Sequence, residues 1–186
     1  MSGHSHAKTI KHQKNLTDQK RGQMFSKMAK VISVAVKEGG SNPEINNKLR
    51  VVMEQAKQFN MPKDNIERAI KQAEGGEAAG NLIEMIFEAY GPGGVAIIIE
   101  AITDNKNRAL GEVKQVLSQF GGKLVGEGGV RWLFERKINT EEPGSLEWVA
   151  KQDIEVSEKD RETCEKLFEA LDETDSVQEI YSNIKI

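Results

Sequence analysis

The side chains most able to do chemistry lie together at the amino terminus, where three histidines alternate with lysines. The stretch reads MSGHSHAKTIKHQKNLTDQKRG and holds every histidine of the chain, His4, His6 and His12. A structural zinc site needs a complete set of ligands held by folded structure. This stretch has no cysteine, and its only carboxylate is that of Asp18. We therefore expect no metal site and no cofactor.

The basic side chains of the same stretch favour an arm that binds a polyanion. Residues 1–30 hold seven Lys and Arg against one acid. An arm with this spacing can neutralise successive phosphates and release their counterions, and histidine can also donate to a phosphate. An inert leader and a metal-scavenging segment remain as alternatives. The candidate nucleic-acid contacts are Lys8, Lys11, His12, Lys14, Lys20, Arg21, Lys27 and Lys30.

Patterns that support catalysis are weak in the rest of the chain. The glycine clusters GPGG and GEGGV match neither phosphate-loop pattern, and GPGG is typical of a tight turn between strands. Cys164 falls on the apolar face of a predicted helix, and no serine lies in a nucleophile elbow. We predict a binding protein without catalytic residues or a small-molecule substrate.

Charge is divided unevenly along the chain. The net charge is −3, but residues 1–74 hold 14 Lys and Arg against 7 acids, and residues 75–186 hold 12 against 22. One end therefore suits a polyanion that the other end would repel. The sequence has no apolar run of membrane-spanning length, no secretory signal pattern and one cysteine. We expect a cytoplasmic monomer that does not bind membranes.

A helical period of apolar residues predicts three helices within residues 17–76, after a flexible basic arm at residues 1–16. The glycines of EGGSNP end the first helix. We expect Asn42 to cap the second helix, with Pro43 at its first position and Ile45 on its buried face. The linker EGGEAAGN then closes this small helical domain.

The apolar pattern changes from helical to alternating at residue 82, which indicates a second domain over residues 82–186. Predicted strands are IEMIFEAY, VAIIIEAIT, VRWLFERK, LEWVAKQDIEV and VQEIYSNI, with helices at about 105–120 and 157–171. Without the first strand, the order β-α-β-β-α-β is that of a ferredoxin-like split βαβ domain. We predict an α+β fold with an antiparallel sheet and both helices on one face.

A second, smaller basic site is suggested by TDNKNR, where a predicted strand leads into a helix. Lys106 and Arg108 stand there within an otherwise acidic domain. Helix capping by Asp104 or Asn105 would explain the segment without a partner. The functional alternative is a further contact with RNA or protein, so both cations join the candidate nucleic-acid contacts.

Segments spread over nearly the whole chain resemble the YebC family, which includes the mitochondrial translational activator of cytochrome oxidase subunit I. NMPKDNIERAI followed by YGPGGVA is specific to that family. The other matching segments are GHS, IKH, KRG, TDNKNR, FERK and VQEIYSN. The resemblance implies a non-enzymatic protein with a helical amino-terminal domain. Members have been described as DNA-binding transcriptional regulators, and some are linked to ribosome binding and relief of stalls at proline-rich sequences.

We therefore expect a nucleic-acid-binding regulator of gene expression, namely a ribosome- or RNA-associated translation factor that helps to relieve stalling. A DNA-binding transcriptional regulator is the alternative. Two departures from the family pattern stand out. His6 and Ala7 replace the usual Lys-Trp after GHS, and only INTEEPGS separates FERK from LEWVAKQDIEV, where the family carries an inserted third domain. Activity that depends on that domain is thereby in doubt.

Overall fold

The computed structural model describes residues 18–76, 81–139 and 145–185. The predicted flexible arm at residues 1–16 lies outside these ranges. So do four of its candidate contacts, Lys8, Lys11, His12 and Lys14.

Within residues 18–76, the amino-terminal domain has three helices, as the sequence predicted. They are α1 (Asp18–Gly39), α2 (Asn47–Gln58) and α3 (Lys63–Glu74). Both shorter helices pack against α1 and make few contacts with each other. Their amphipathic faces bury one shared core, which includes Ile32, Val36, Leu49, Val52, Ile66 and Ala69.

The second helix begins later than predicted. Asn42 and Pro43 lie in a turn before it, and Ile45 is 79% exposed instead of buried. The cap is Asn46, whose Oδ1 accepts the backbone N–H of Leu49 at 3.0 Å. Its amide nitrogen also donates to two backbone carbonyls near the end of α1, both at 2.7 Å. One buried side chain therefore joins the end of α1 to the start of α2. This tertiary contact fixes the helix start after Asn46, although Pro43 favours an earlier start.

In residues 81–139 and 145–185, the second domain is an α+β unit of six strands and two α-helices. In chain order its elements are β1 (Ile83–Tyr90), β2 (Ala96–Thr103), α4 (Lys106–Gln119), β3 (Lys123–Val125), β4 (Phe134–Ile138), β5 (Leu146–Ala150), α5 (Glu158–Asp172) and β6 (Val177–Ser182). An antiparallel sheet has the order β3-β1-β2-β6, and β4 and β5 form a separate two-stranded sheet.

The α+β class is confirmed, but the predicted assignment of strands to the main sheet was wrong. The strand that we set aside, β1, is central and pairs with β2 and β3. The segment VRWLFERK is extended only from Phe134, because residues 131–133 form a 3-10 turn. The edge strand β3 has three residues, too few to show an alternating pattern. The helix α4 still connects two parallel strands of the sheet with one strand between them, which is the split βαβ arrangement.

Both faces of the main sheet are covered. On one face Ile97 and Ile99 pack with α4 and α5 in the largest core of the chain. On the other face Ile98 packs with Phe134 and Tyr181, beneath the β4–β5 hairpin. Burial on both faces explains why VAIII is continuously apolar, as predicted for this strand.

The GPGG segment forms the predicted tight turn between β1 and β2. Residues Pro92–Gly94 adopt a 3-10 turn in which Gly93 has φ of 67°. That conformation is strained for residues with a side chain. A Cβ atom on Gly93 would also lie 2.9 Å from the Cγ1 atom of Val156, so space and conformation both require glycine here.

Candidate nucleic-acid interface and interdomain cleft

Two of the predicted nucleic-acid contacts, Lys20 and Arg21, lie in the first turn of α1. Both residues are exposed. The guanidinium of Arg21 lies 3.8 Å from the carboxylate of Asp18, and 56% of the Arg21 side chain is exposed. Exposed ion pairs of this kind contribute little free energy. A phosphate could therefore replace Asp18 beside Arg21 at small cost.

Lys27 and Lys30, about two and nearly three turns further along α1, point toward the α+β domain. The Lys27 ammonium contacts the carboxylate of Asp172 at 3.2 Å and also its backbone carbonyl. The Lys30 ammonium contacts the carboxylate and carbonyl oxygens of Asp175 at 2.5 and 3.0 Å. Their side chains are 14% and 21% exposed. A phosphate contact by either lysine would have to compete with these interdomain ion pairs.

The second basic site, Lys106 and Arg108, lies at the start of α4. Asn105 caps this helix and accepts the backbone N–H of Arg108 at 3.1 Å. Helix capping is the explanation without a partner that the sequence left open for this segment. The Arg108 guanidinium lies 2.5 Å from the carboxylate of Asp104. Lys106 is exposed. Helix capping accounts for the asparagine, while the role of the two cations stays a prediction.

Of the basic residues on α1, Lys30 lies near the second basic site, through adjacent residues of the α5–β6 connection. Asp175 pairs with Lys30, and the hydroxyl of Ser176 lies 3.4 Å from the carboxylate of Glu112. Glu112 in turn lies 3.9 Å from the guanidinium of Arg108. Lys30 and Arg108 therefore border one mixed-charge region, whereas Lys20 and Arg21 lie in the first turn of α1.

A cleft of about 660 Å³ separates the helical domain from the sheet and its hairpin, and we call it the interdomain cleft. One stripe of α1 and one of α2 form its first wall, and β1, β2, β6, α5 and the β4–β5 hairpin form the others. Its apolar lining includes Met24, Met28, Val31, Met85 and Ile102. Its charged lining is four cations and seven carboxylates: Lys20, Lys27, Lys48, Arg136, Glu84, Glu100, Glu147, Glu169, Asp172, Glu173 and Glu179.

Glu100 is the most enclosed carboxylate that borders the interdomain cleft. Its Oε1 accepts the indole N–H of Trp148 at 2.9 Å and the guanidinium of Arg136 at 3.0 Å. Arg136 also stacks over the Trp148 ring, with its guanidinium carbon 4.5 Å from the ring centroid. Burial raises the pKa of Glu100, Arg136 and Trp148 oppose that rise, and Glu179 and Glu84 add to it. The contacts hold the hairpin on the sheet beside a crowded acidic surface.

Glu88 on β1 is buried among backbone donors. It accepts N–H groups from Gly128, Val130 and Arg131 at 2.8 to 2.9 Å, and the Arg131 guanidinium lies 3.1 Å away. Burial by itself raises the pKa of Glu88, but the three N–H donors and Arg131 outweigh it and lower the pKa. This carboxylate shapes GEGGV into a loop, so that motif is structural and is not a phosphate loop.

The sequence interpretation assigned no role to Glu88 or Glu100. The available signal was a glutamate among apolar strand residues, Glu88 in IEMIFEAY, which also holds Glu84, and Glu100 in VAIIIEAIT. A buried carboxylate requires specific partners. Those partners, in the GEGGV loop and the hairpin, are remote in sequence and could not be identified from the pattern.

Cys164 is buried in the core of the α+β domain. Burial, with smaller contributions from Asp160 and Glu165, raises its pKa to about 11, so the thiol stays protonated at neutral pH. Among the described residues, no three His, Cys, Asp or Glu side chains come together as a metal site. Within the same residues, no helix has the length and apolar character needed to cross a membrane.

Two family models match this chain. The model described as TACO1/YebC protein N-terminal domain matches residues 5–76, and the TACO1/YebC second and third domain model matches residues 82–144 and 138–184. The chain belongs to the TACO1/YebC family. The second model matches in two segments that meet at residues 138–144, which is the connection where the sequence indicated a missing inserted domain.

Relatives of this YebC-family chain are named as regulatory proteins. The "Probable transcriptional regulatory protein Teth39_1009" of Thermoanaerobacter pseudethanolicus is 37% identical over 240 residues, covering 100% of this chain and 98% of the relative. The "Probable transcriptional regulatory protein YrbC" of Bacillus subtilis is 50% identical over 137 residues, covering 74% of this chain and 57% of the relative. The chain is therefore a member of a family of regulatory proteins.

A solved structure supports the α+β fold of this YebC-family chain. The conserved hypothetical protein Aq1575 from Aquifex aeolicus superposes with a TM-score of 0.84 at 34% identity. The match covers 95% of each chain. The described three-helix domain and its α+β partner thus follow the architecture of a known relative.

Proposed function

We propose that this chain is a nucleic-acid-binding regulator that contacts RNA at the ribosome and helps to relieve stalling. The observation that carries the proposal is the separation of charge between the two ends of the chain. Lys20 and Arg21, exposed at the start of α1, continue the basic character of the residues that precede them. Lysines and arginines placed in succession bind phosphates through counterion release without reading sequence.

The helical domain favours RNA contact by shape and phosphate over base reading in a DNA groove. A helix that reads DNA needs donors and acceptors on the face that enters the major groove. The exposed start of α3 instead carries Asp64 and Glu67 beside Lys63, and two acids there would repel phosphates. Recognition of RNA by shape needs no such helix.

The alternative, a DNA-binding transcriptional regulator, has two observations in its favour. The relatives described above are named probable transcriptional regulatory proteins. The helices α2 and α3 are also joined by only four residues, 59–62, a connection typical of helix-turn-helix proteins. In this chain, however, α3 packs on α1 and makes little contact with α2.

Co-sedimentation with purified ribosomes, beside binding of fluorescent single-stranded RNA and duplex DNA over a range of salt, tests the proposal. We expect ribosome association, and tighter binding to RNA than to random duplex DNA. The variant with Lys20→Gln and Arg21→Gln should weaken RNA binding. Its matched control is Lys57→Gln with Lys71→Gln, which removes two exposed cations elsewhere in the helical domain. Preference for one duplex DNA sequence, without ribosome association, would establish the alternative.

A further inference from the structure

The interdomain cleft combines an apolar lining with an excess of negative charge. Seven carboxylates and four cations border it, so its charged lining has a net charge of −3. Its acids all come from the α+β domain, from β1, β2, β5, β6 and the carboxyl-terminal end of α5, whereas α1 and α2 supply three of its four cations. A ligand that matched this distribution would need several separated cations with apolar groups between them, which a small anion or a nucleic acid does not offer.

Methionines contribute much of the apolar lining. Met24 and Met28 occupy successive turns of α1, and Met85 of β1 borders the same cavity while packing against the core beneath α4 and α5. All three are partly exposed. Methionine is flexible and polarisable, and it is common on surfaces that bind apolar side chains of varied shape. The lining therefore suits leucine-like side chains without demanding one particular sequence.

The mouth of the interdomain cleft offers further apolar and acidic groups. Ile138 and Leu146 face each other across the β4–β5 hairpin and are 70% and 54% exposed, and Leu146 lines the cleft. The carboxylates of Glu169 and Glu173 are exposed on α5 at the same cavity. A peptide could supply cations to these carboxylates.

We propose that the interdomain cleft binds a lysine-rich amphipathic segment of a partner protein, with its apolar face on the methionines and its lysines on the surrounding carboxylates. This mode is helix-in-groove recognition with electrostatic complementarity. It goes beyond the proposed RNA contact, because it involves the opposite charge and carboxylates of the α+β domain. Lys20 borders both surfaces, so the variants that test the peptide are placed at Glu169 and Glu173.

The probe is a synthetic amphipathic peptide built only of leucine and lysine, added to the full chain labelled with ¹³C at its methionine methyl groups. We expect saturable shifts of the Met24 and Met28 resonances, and smaller shifts of Met85, which packs against the core beneath α4 and α5. Met61, which is 6% exposed in the helical core, should not shift. Binding should weaken as salt rises, because exposed charges provide part of the attraction. A leucine–glutamate peptide and a scrambled leucine–lysine peptide are the two peptide controls.

Charge reversal at the mouth of the cleft supplies the matched variants. Glu169→Lys with Glu173→Lys should weaken peptide binding about tenfold, because two exposed ion pairs become repulsions. Glu44→Lys with Glu54→Lys makes the same change of charge on the helical domain outside the cleft and should leave binding unchanged.

Three results would overturn the proposal, and the first two need no variant. In the first, the leucine–lysine peptide leaves the cleft methionines of the wild-type chain unshifted. In the second, the leucine–glutamate peptide or a short RNA shifts them as much as the leucine–lysine peptide does. The third is equal weakening by the two pairs of charge reversals.

Discussion

The ammonium group of Lys27 reaches from the helical domain to the last turn of α5, where it contacts both the carboxylate and the backbone carbonyl of Asp172. The last carbonyls of a helix have no partner within the helix, and they carry the negative end of its dipole. A lysine from another domain here satisfies one of them. Lys30 repeats the arrangement at Asp175, so two successive turns of α1 bind the acidic end of α5.

The first prediction is that Lys27 and Lys30 stabilise the domain interface. Lys27→Gln with Lys30→Gln should lower the free energy of unfolding by about 1 kcal/mol, a modest value because Asp172 and Asp175 are partly exposed. The salt dependence of RNA binding should not change. Denaturant titration and binding over a range of salt measure the two effects, with Lys57→Gln and Lys71→Gln as the control. Unchanged stability with a reduced salt dependence would assign both lysines to the nucleic acid.

The second prediction concerns the basic amino-terminal residues. Replacing Lys8, Lys11, Lys14, Lys20 and Arg21 with Gln should weaken nucleic-acid binding. Each phosphate contact that is lost should reduce the slope of log affinity against log salt by about 0.7 to 0.9. Thermal stability should stay the same, because Lys20 and Arg21 are exposed at the helix end. If the slope of this variant equals that of the wild type, these residues make no phosphate contacts.

The third prediction concerns Glu88 and acid stability. Because its pKa in the folded chain lies below the ordinary 4.5, its contribution is fully present above that pH and is lost as pH falls through the folded pKa. Glu88→Gln replaces an acceptor of three N–H groups by an amide that can face them with only one oxygen. We expect a loss of about 2–3 kcal/mol at pH 7, and a smaller difference from wild type as pH falls below 4.5. Urea unfolding at several pH values measures this difference, and a constant difference would be incompatible with the assignment.

The fourth prediction concerns Glu100, whose pKa is shifted in the opposite direction. A raised pKa means that folding favours the protonated form, so its contribution to stability increases as pH falls through the folded pKa. Glu100→Gln should therefore cost less stability at pH 7 than Glu88→Gln.

Trp148 donates to Glu100 and provides a direct measurement of this titration. In a Trp132→Phe background, Trp148 fluorescence should titrate with a midpoint above 4.5. Trp132 is 63% exposed, so its replacement should be tolerated. A midpoint below 4.5 would show that Arg136 and Trp148 outweigh the burial of the carboxylate.

Local sequence patterns predicted the helices well because the apolar spacing of a helix involves residues that are close in sequence. The apolar spacing of α1, α2 and α3 identified the helical domain, and α5 follows the predicted helix at about 157–171, with Ser157 as its cap, accepting the N–H of Asp160 at 3.1 Å. The start of α2 was missed because Asn46 bonds to carbonyls of the preceding helix. Such a contact depends on how two helices meet, which their separate sequences do not specify.

The arrangement of strands and the candidate site depended on partners remote in sequence. β1 looked dispensable because the other elements already formed a familiar order, yet it pairs on both edges. The sequence assigned Lys27 and Lys30 to a basic segment, because their partners, Asp172 and Asp175, lie 145 residues away. Charge composition identifies a basic end of the chain, but it cannot tell which cations face another domain.

The fifth prediction is that residues 82–186 fold without the helical domain. The four strands of the main sheet, both covering helices and the β4–β5 hairpin all lie within this range, and its two apolar cores take no side chain from α1, α2 or α3. The isolated unit should therefore unfold cooperatively, as followed by the fluorescence of Trp132 and Trp148. It should be less stable than in the full chain, because Asp172, Asp175 and Glu84 lose their lysine partners.

Salt provides the control for this fifth prediction. Residues 82–186 carry 12 Lys and Arg against 21 acids, so self-repulsion should destabilise the isolated unit more than the full chain. Added salt screens that repulsion and should raise the melting temperature of the fragment more than that of the full chain. A fragment that aggregates, or that lacks a cooperative transition at every salt concentration, would show that the α+β domain needs the helical domain to cover the sheet face at the interdomain cleft.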